Sequence, residues 1–219
     1  MKIMQELKSR TKESHDRIEA LAYSHKIMGG TITLTEYQEL ILKNYWFHAI
    51  AENALDKALS PEAKVELDFE NRRKLSYLWQ DLEELGLKEL AQYPRLPKFE
   101  LEGATAALGA MYVMEGATLG GAIIRRELNK NKSICQASSM NYYTCYGTNI
   151  GPYWKQFMGY MADNITTEGD CEAAASQAIS TFELFEQILK WPVREMHPKA
   201  VTRNEASSAR HSSSQKSFA

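Results

Sequence analysis

The 219-residue chain is poor in residues that build covalent or metal scaffolds, with only three cysteines, Cys135, Cys145 and Cys171. They are odd in number, widely spaced and form no CxxC pair, which argues against a disulfide framework or a zinc ribbon and leaves isolated reduced thiols. Neither sign of charge dominates: 26 Lys+Arg stand against 28 Asp+Glu, for a net charge of −2. That balance excludes a protein built mainly to bind nucleic acid. The opening residues, Met1-Lys-Ile-Met-Gln-Glu-Leu-Lys8, are too charged for a secretory leader. No apolar run approaches the roughly 20 residues that cross a bilayer. Period-two strand patterns are scarce, and the glycine fingerprints of flavin or nicotinamide binding are missing. The expectation is a soluble, cytoplasmic protein with no sheet, no nucleic-acid or membrane partner and no electron carrier of its own.

What is present is helical spacing. Over residues 3–23, Ile3, Leu7, Ile18 and Leu21 recur at helical intervals among charges, and Gly29-Gly30 stops the pattern. Thr33 or Thr35 can cap a second, long helix reaching Leu59, with Glu36 and Glu39 in its first turns. Residues 69–85 predict another amphipathic helix, through Phe69, Leu75, Leu78, Trp79, Leu82 and Leu85, with Gly86 as its stop. Pro94 and Pro97 require a loop over 93–97. A long, unusually apolar helix is predicted over 102–129, then a loop over 141–152, then helices over 152–165 and 168–191. From His197 onward six serines and four Lys/Arg stand among almost no large apolar residues. Such a segment cannot bury enough surface to offset its ordering entropy. The chain therefore reads as one all-α, multi-helical domain over 1–195 and a polar, disordered tail over 196–219.

The apolar helix carries an anomaly. Gly116, Gly120 and Gly121 fall within six residues, and each interior glycine costs about 1 kcal/mol relative to alanine. Roughly 3 kcal/mol is a large sacrifice against a typical total stability of 5–15 kcal/mol. Gly116 and Gly120 share a face beside Ala117, so a flat ligand could lie directly against the backbone there. Close packing by a neighbouring helix explains the same strip equally well, and glycine also permits a kink.

Of five histidines, His197 and His211 lie in or beside the tail, and His25 sits near a helix end. His48, in Tyr45-Trp-Phe-His48 and one turn before Glu52, reads as a packed, hydrogen-bonded histidine. His15 has different surroundings. Thr11, His15 and Glu19 line one helical face, with Lys8 and Lys12 near it toward the N-terminus. Lys8 stands roughly 10 Å along the axis from His15. That spacing suits a metal-bound ligand whose anionic edge meets lysine, with Glu19 orienting the imidazole. A merely solvated histidine is the alternative.

Together and in this order, the two segments resemble the biliverdin-producing heme oxygenases, particularly the bacterial branch. Thr11-Lys-Glu-Ser-His15-Asp-Arg-Ile-Glu19 is similar to the proximal-helix motif, Tyr112-Val-Met-Glu-Gly-Ala-Thr-Leu-Gly-Gly121 to the distal-helix motif, and Tyr146–Lys155 to the segment leading into the next helix. The resemblance covers roughly residues 5–191. It implies a single-domain heme-oxygenase-like bundle, with heme between the His15 helix and the Gly116–Gly121 helix and His15 as the axial metal ligand. It also implies a reaction in which heme, as substrate and cofactor, O2 and reducing electrons give biliverdin, carbon monoxide and ferrous iron. The electrons would come from an external donor such as ferredoxin, flavodoxin or a reductase, and the protein would act as a monomer. Lys8, Lys12 and Lys155 are then the candidates for the propionates, with Thr11, Glu19 and Gly121 also against the cofactor. Gly116, Ala117, Thr118 and Gly120 form the distal strip. Many family members carry an aspartate where this chain has Ala117, and Gly159 stands where the mammalian type has a propionate arginine. At Ala117 the hydrogen-bonding role would pass to Thr118, backbone carbonyls or waters. Two other readings compete: a heme carrier or sensor that does not turn over, and a nonheme di-iron oxidase starting from His48 and Glu52.

Overall fold

The longest helices fall where the apolar spacing places them. The structure is a computed structural model that describes residues 2–92 and 97–193. Most of the predicted loop over 93–97 and all of the predicted tail over 196–219 lie outside those residues. Among the described residues the order is α1 (Lys2–Leu21), α2 (Ser24–Met28), α3 (Leu34–Ala58), α4 (Pro61–Glu66), α5 (Phe69–Arg72), α6 (Leu75–Glu84) and α7 (Lys88–Ala91). It continues with α8 (Gly103–Thr118), α9 (Gly121–Leu128), α10 (Lys132–Ala137), two short 3-10 turns over Asn141–Thr144 and Gly147–Asn149, α11 (Ile150–Asn164) and α12 (Glu168–Lys190). No strand occurs among them.

Local chemistry fixes the helix starts. Thr33, not Thr35, caps α3: its hydroxyl accepts from the Glu36 N–H while the Glu36 side chain takes the Thr33 N–H. Thr167 and Asp170 repeat this reciprocal cap at α12. Each box satisfies donors that the first helical turn leaves without intrahelical partners.

Helix α12 is the hub, packing on α8, α1 and α3. Its crossing with α8 is tight because both sides are small. Ala107 and Ala110 on α8 and Ala174, Ala175 and Ala178 on α12 are all fully buried, and Gly109 faces the Ala174 backbone. Salt bridges fasten α1 to α12 at two levels: Arg10 to Glu172, with its second bond at 2.8 Å, and Arg17 to Glu186 at 3.0 Å. On either side of them Leu7 and Ile18 turn into the core.

Two predicted helices are broken. The 69–85 segment splits into α5 and α6 because its middle serves the interior. The Arg72 and Lys74 side chains are buried, and the Lys74 N–H donates to the Glu52 carboxylate at 2.8 Å instead of extending the helix. The 102–129 segment breaks at Leu119-Gly120. There the Leu119 N–H falls back on the Gly116 carbonyl, three residues away, at 3.2 Å. By length and composition alone Gly103–Leu128 is apolar enough to cross a membrane, contrary to the expectation that no apolar run approaches that length. In this fold half of its most apolar window is buried, and α8 packs on α12.

Candidate functional site

A cavity of about 920 Å³ opens between α1 and the α8–α9 break. Its volume lies near the upper end of the roughly 300–1,000 Å³ typical of small-molecule sites. Phe47, Phe182, Phe185, Trp154 and Ile150 supply apolar walls, and α1 and the broken helix form two opposed sides. Lys8, Thr11, Lys12, His15 and Glu19 line the first side. Gly116, Ala117, Thr118, Gly120 and Gly121 line the second. Of the residues singled out from sequence, Lys155 is exposed and not part of the lining.

The glycines divide the two explanations between them. A Cβ at Gly116 would meet nothing within 4 Å, so its missing side chain is open space on the cavity wall. A Cβ at Gly121 would stand 3.3 Å from the Tyr143 carbonyl oxygen, so this glycine also lets the 3-10 turn pack. The close helix–helix approach belongs to Gly109, where a Cβ would come within 2.2 Å of the Ala174 carbonyl oxygen. Small-residue packing is therefore real in this helix but lies two turns away from the strip that faces the cavity.

His15 presents its ring to the cavity. Its side chain is 57% exposed, edge-on to Phe182 with ring centroids 6.2 Å apart. Its Nδ1 lies 3.9 Å from Asp16 and 4.0 Å from Glu19, too long for a hydrogen bond to either carboxylate. Lys12 pairs with Asp16 at 2.7 Å, and that bond raises the Lys12 ammonium above its usual range. The Thr11 hydroxyl is buried and donates to the Leu7 carbonyl at 2.7 Å. The Thr118 hydroxyl donates to the Glu115 carbonyl at 2.6 Å, so the proton of this distal-strip group is already committed. His25 is exposed on α2.

Sequence reasoning missed the polar side of the site. Glu115, one residue before Gly116, points away from the cavity into a buried ion cluster. Its Oε1 accepts from Lys74 Nζ at 2.9 Å and from the Tyr146 hydroxyl at 2.7 Å, and its Oε2 pairs with the Arg72 guanidinium. Burial pushes the Glu115 carboxyl up, but Lys74 and Arg72 outweigh it and hold the carboxyl below the usual range. Burial likewise lowers the Lys74 ammonium, and Glu115 turns the balance upward. The cluster fixes the rotation of α8, and with it the direction in which Gly116 faces.

His48 is the packed, hydrogen-bonded histidine that its context suggested, and it also lines the cavity. Its Nδ1 is 3.1 Å from Glu52 and its Nε2 is 3.3 Å from the Tyr142 hydroxyl. The i, i+4 pairing with Glu52 was the available signal; nothing in the sequence placed Tyr142, 94 residues away, against it. Asp81 positions Tyr142, accepting the Asn141 N–H at 2.7 Å and the Tyr142 N–H at 2.9 Å. Glu52 accepts the Lys74 backbone N–H and faces His48, while Glu115 is engaged by the Lys74 and Arg72 side chains. Among the described residues the only His/Cys/Asp/Glu grouping with metal-ligand spacing is the exposed set His15, Asp16 and Glu19. Among the described residues the buried carboxylates form no grouping of the kind a di-iron centre needs.

Comparison with known proteins agrees with this geometry. The fold is similar to the heme oxygenase of Neisseria meningitidis, solved with NO and CO bound, at TM-score 0.67 and 20% identity over 89% of this chain and 91% of that one. It is also similar to heme oxygenase-1 of the cyanobacterium Synechocystis, solved with heme, at TM-score 0.67 and 14% identity over 96% and 99% of the two chains. The heme oxygenase of Leptospira interrogans gives TM-score 0.67 and 14% identity over 86% and 98%. A search of curated protein sequences gave no match. The family model described as heme oxygenase matches residues 1–191, so the chain belongs to the heme oxygenase family, and it is a heme-degrading enzyme.

Proposed function

We propose that heme is held in this cavity with His15 as its iron ligand, and that O2 and external electrons convert it to biliverdin, carbon monoxide and ferrous iron. The observation that carries the reading is the opposition of His15 to an open Gly116 across one apolar cavity. The residues present fit a flat, largely apolar ring. A methyl group at position 116 would occupy free space where a ring must lie, and phenylalanines line the remaining wall. When bound, heme supplies the iron at which dioxygen reacts.

The protein's own residues orient and shelter that chemistry. The neutral form of His15 offers a lone pair from α1, and the salt bridges from Arg10 and Arg17 keep α1 at its distance from the core. Gly116 and Ala117 keep the opposite wall low. Lys8 and Lys12, on the cavity rim, are placed to receive carboxylates and set the ring's rotation. Lysine acts as a flexible point charge there, not as a bidentate clamp. The electron donor is a separate redox protein, and the enzyme works as a monomer.

The test is to add hemin to the protein and then a reductant in air while absorption is recorded. Loss of the Soret band with growth of a biliverdin band is expected. A Soret band that persists under reductant and oxygen would instead establish a carrier or sensor.

A further inference from the structure

We propose that Glu52, His48 and Tyr142 form a fixed hydrogen-bond chain that turns the Tyr142 oxygen into a hydrogen-bond acceptor on the cavity wall, anchoring the water bound above the substrate. The proposal rests on the heme-binding reading above, and it assigns a role to residues that reading leaves unused.

The direction of the chain follows from counting donors. Glu52 Oε1 accepts the Lys74 backbone N–H at 2.8 Å and faces His48 Nδ1 at 3.1 Å. A carboxylate oxygen already accepting one N–H offers lone pairs only, so the His48 proton sits on Nδ1. The neutral imidazole then has a bare Nε2, and its neighbour at 3.3 Å is the Tyr142 hydroxyl, which must donate to it. Burial holds His48 below the usual histidine range, which keeps it in that neutral form; Glu52 and Glu115 pull the other way, and Lys74 adds to the lowering. With its proton committed to His48, Tyr142 shows the cavity only its remaining lone pair.

The placement is built, not incidental. Asp81 grips the backbone N–H groups of Asn141 and Tyr142, so the tyrosine cannot drift from the histidine without breaking both bonds. His48 and Tyr142 both line the cavity, and Thr118, the hydroxyl of the glycine strip, has spent its proton on Glu115. Tyr142 is thus the group that touches bound water, while His48, Glu52 and Asp81 are positioning residues.

Two measurements test this, one without heme. In the heme-free protein labelled with 15N-histidine, long-range 15N–1H spectra should show His48 protonated at Nδ1 and bare at Nε2, with Tyr142→Phe shifting only the Nε2 signal toward its unbonded position. The opposite tautomer overturns the chain whether or not the protein turns heme over. The second measurement is the acid–alkaline transition of the ferric hemin complex, followed by visible absorption. An acceptor stabilises coordinated water over hydroxide, so Tyr142→Phe should lower the midpoint by about one pH unit. His48→Phe frees the tyrosine proton to donate to coordinated hydroxide, so it should lower the midpoint further than Tyr142→Phe does. In the double variant the extra drop should vanish and the midpoint return to that of Tyr142→Phe, which separates orientation from a general loss of structure. A midpoint raised by Tyr142→Phe, or unmoved in both variants, overturns the proposal. Failure to form a histidine-ligated hemin complex in the unsubstituted protein would instead overturn the heme-binding reading.

Discussion

Gly109 lies against the carbonyl of Ala174 so closely that a single methyl group on it would sit 2.2 Å from that oxygen. The obstacle is backbone, not a movable side chain, so α8 and α12 would have to separate. Gly109→Ala should therefore destabilise the protein by about 1–3 kcal/mol, the usual range for overpacking, despite alanine's better helix propensity. At 2–4 °C per kcal/mol for a chain of this size, calorimetry would show a Tm drop of roughly 2–12 °C. An unchanged or higher Tm would contradict the tight crossing.

Gly116→Ala should do the reverse. Its new methyl meets nothing, so the heme-free protein gains up to about 1 kcal/mol from propensity. The same methyl projects into the cavity and should weaken hemin affinity or slow turnover. Thermal melts and hemin titration of one variant would show stability and function moving in opposite directions.

His15→Ala should abolish the histidine-ligated absorption spectrum of the hemin complex, while His25→Ala, at an exposed site on α2, keeps it. Loss of the spectrum in His48→Ala with retention in His15→Ala would reassign the ligand to α3.

The Lys74–Glu115 pair gives a pH signature. Glu115 is held below its usual range, so its stabilising contribution is present above the unfolded value of about 4.3 and lost as pH falls through the folded one. Lys74 is held above its usual range, so its contribution is present below about 10.4 and lost as pH rises through its folded value. Denaturant titrations should show the acid loss diminished in Glu115→Gln. Lys74→Met, which leaves the carboxylate to Arg72 and the Tyr146 hydroxyl, should cost up to about 3–5 kcal/mol near neutrality, the range for removing one partner of a buried pair.

The fold was largely legible in the sequence because helix periodicity and caps are local. The Thr33 box, the stop after Met28 and the start of α12 needed no knowledge of distant residues. The break at Arg73 was not legible, because its cause is tertiary, a glutamate on α3; the glycines allowed a kink near Leu119, but the cavity and the packed 3-10 turn beside it lie beyond what local sequence shows. The same division holds at the site. His15 and the glycine strip belong to recognisable segments, whereas Tyr142 reaches His48 only through Asp81, a residue whose sequence context is an ordinary amphipathic helix. The glycine packing that sequence could only weigh against ligand approach is settled by neighbours: Ala174 for Gly109, empty space for Gly116.

The anchoring of α1 to α12 also sets an order of assembly. Arg17 and Glu186 are 169 residues apart, so the first wall of the cavity waits for nearly the whole chain before its last fastening exists. At synthesis rates of about 5–20 residues per second, that interval is on the order of ten to thirty seconds. During it the nascent helix exposes His15 with no opposing cage, and heme cannot be enclosed until α12 leaves the ribosome.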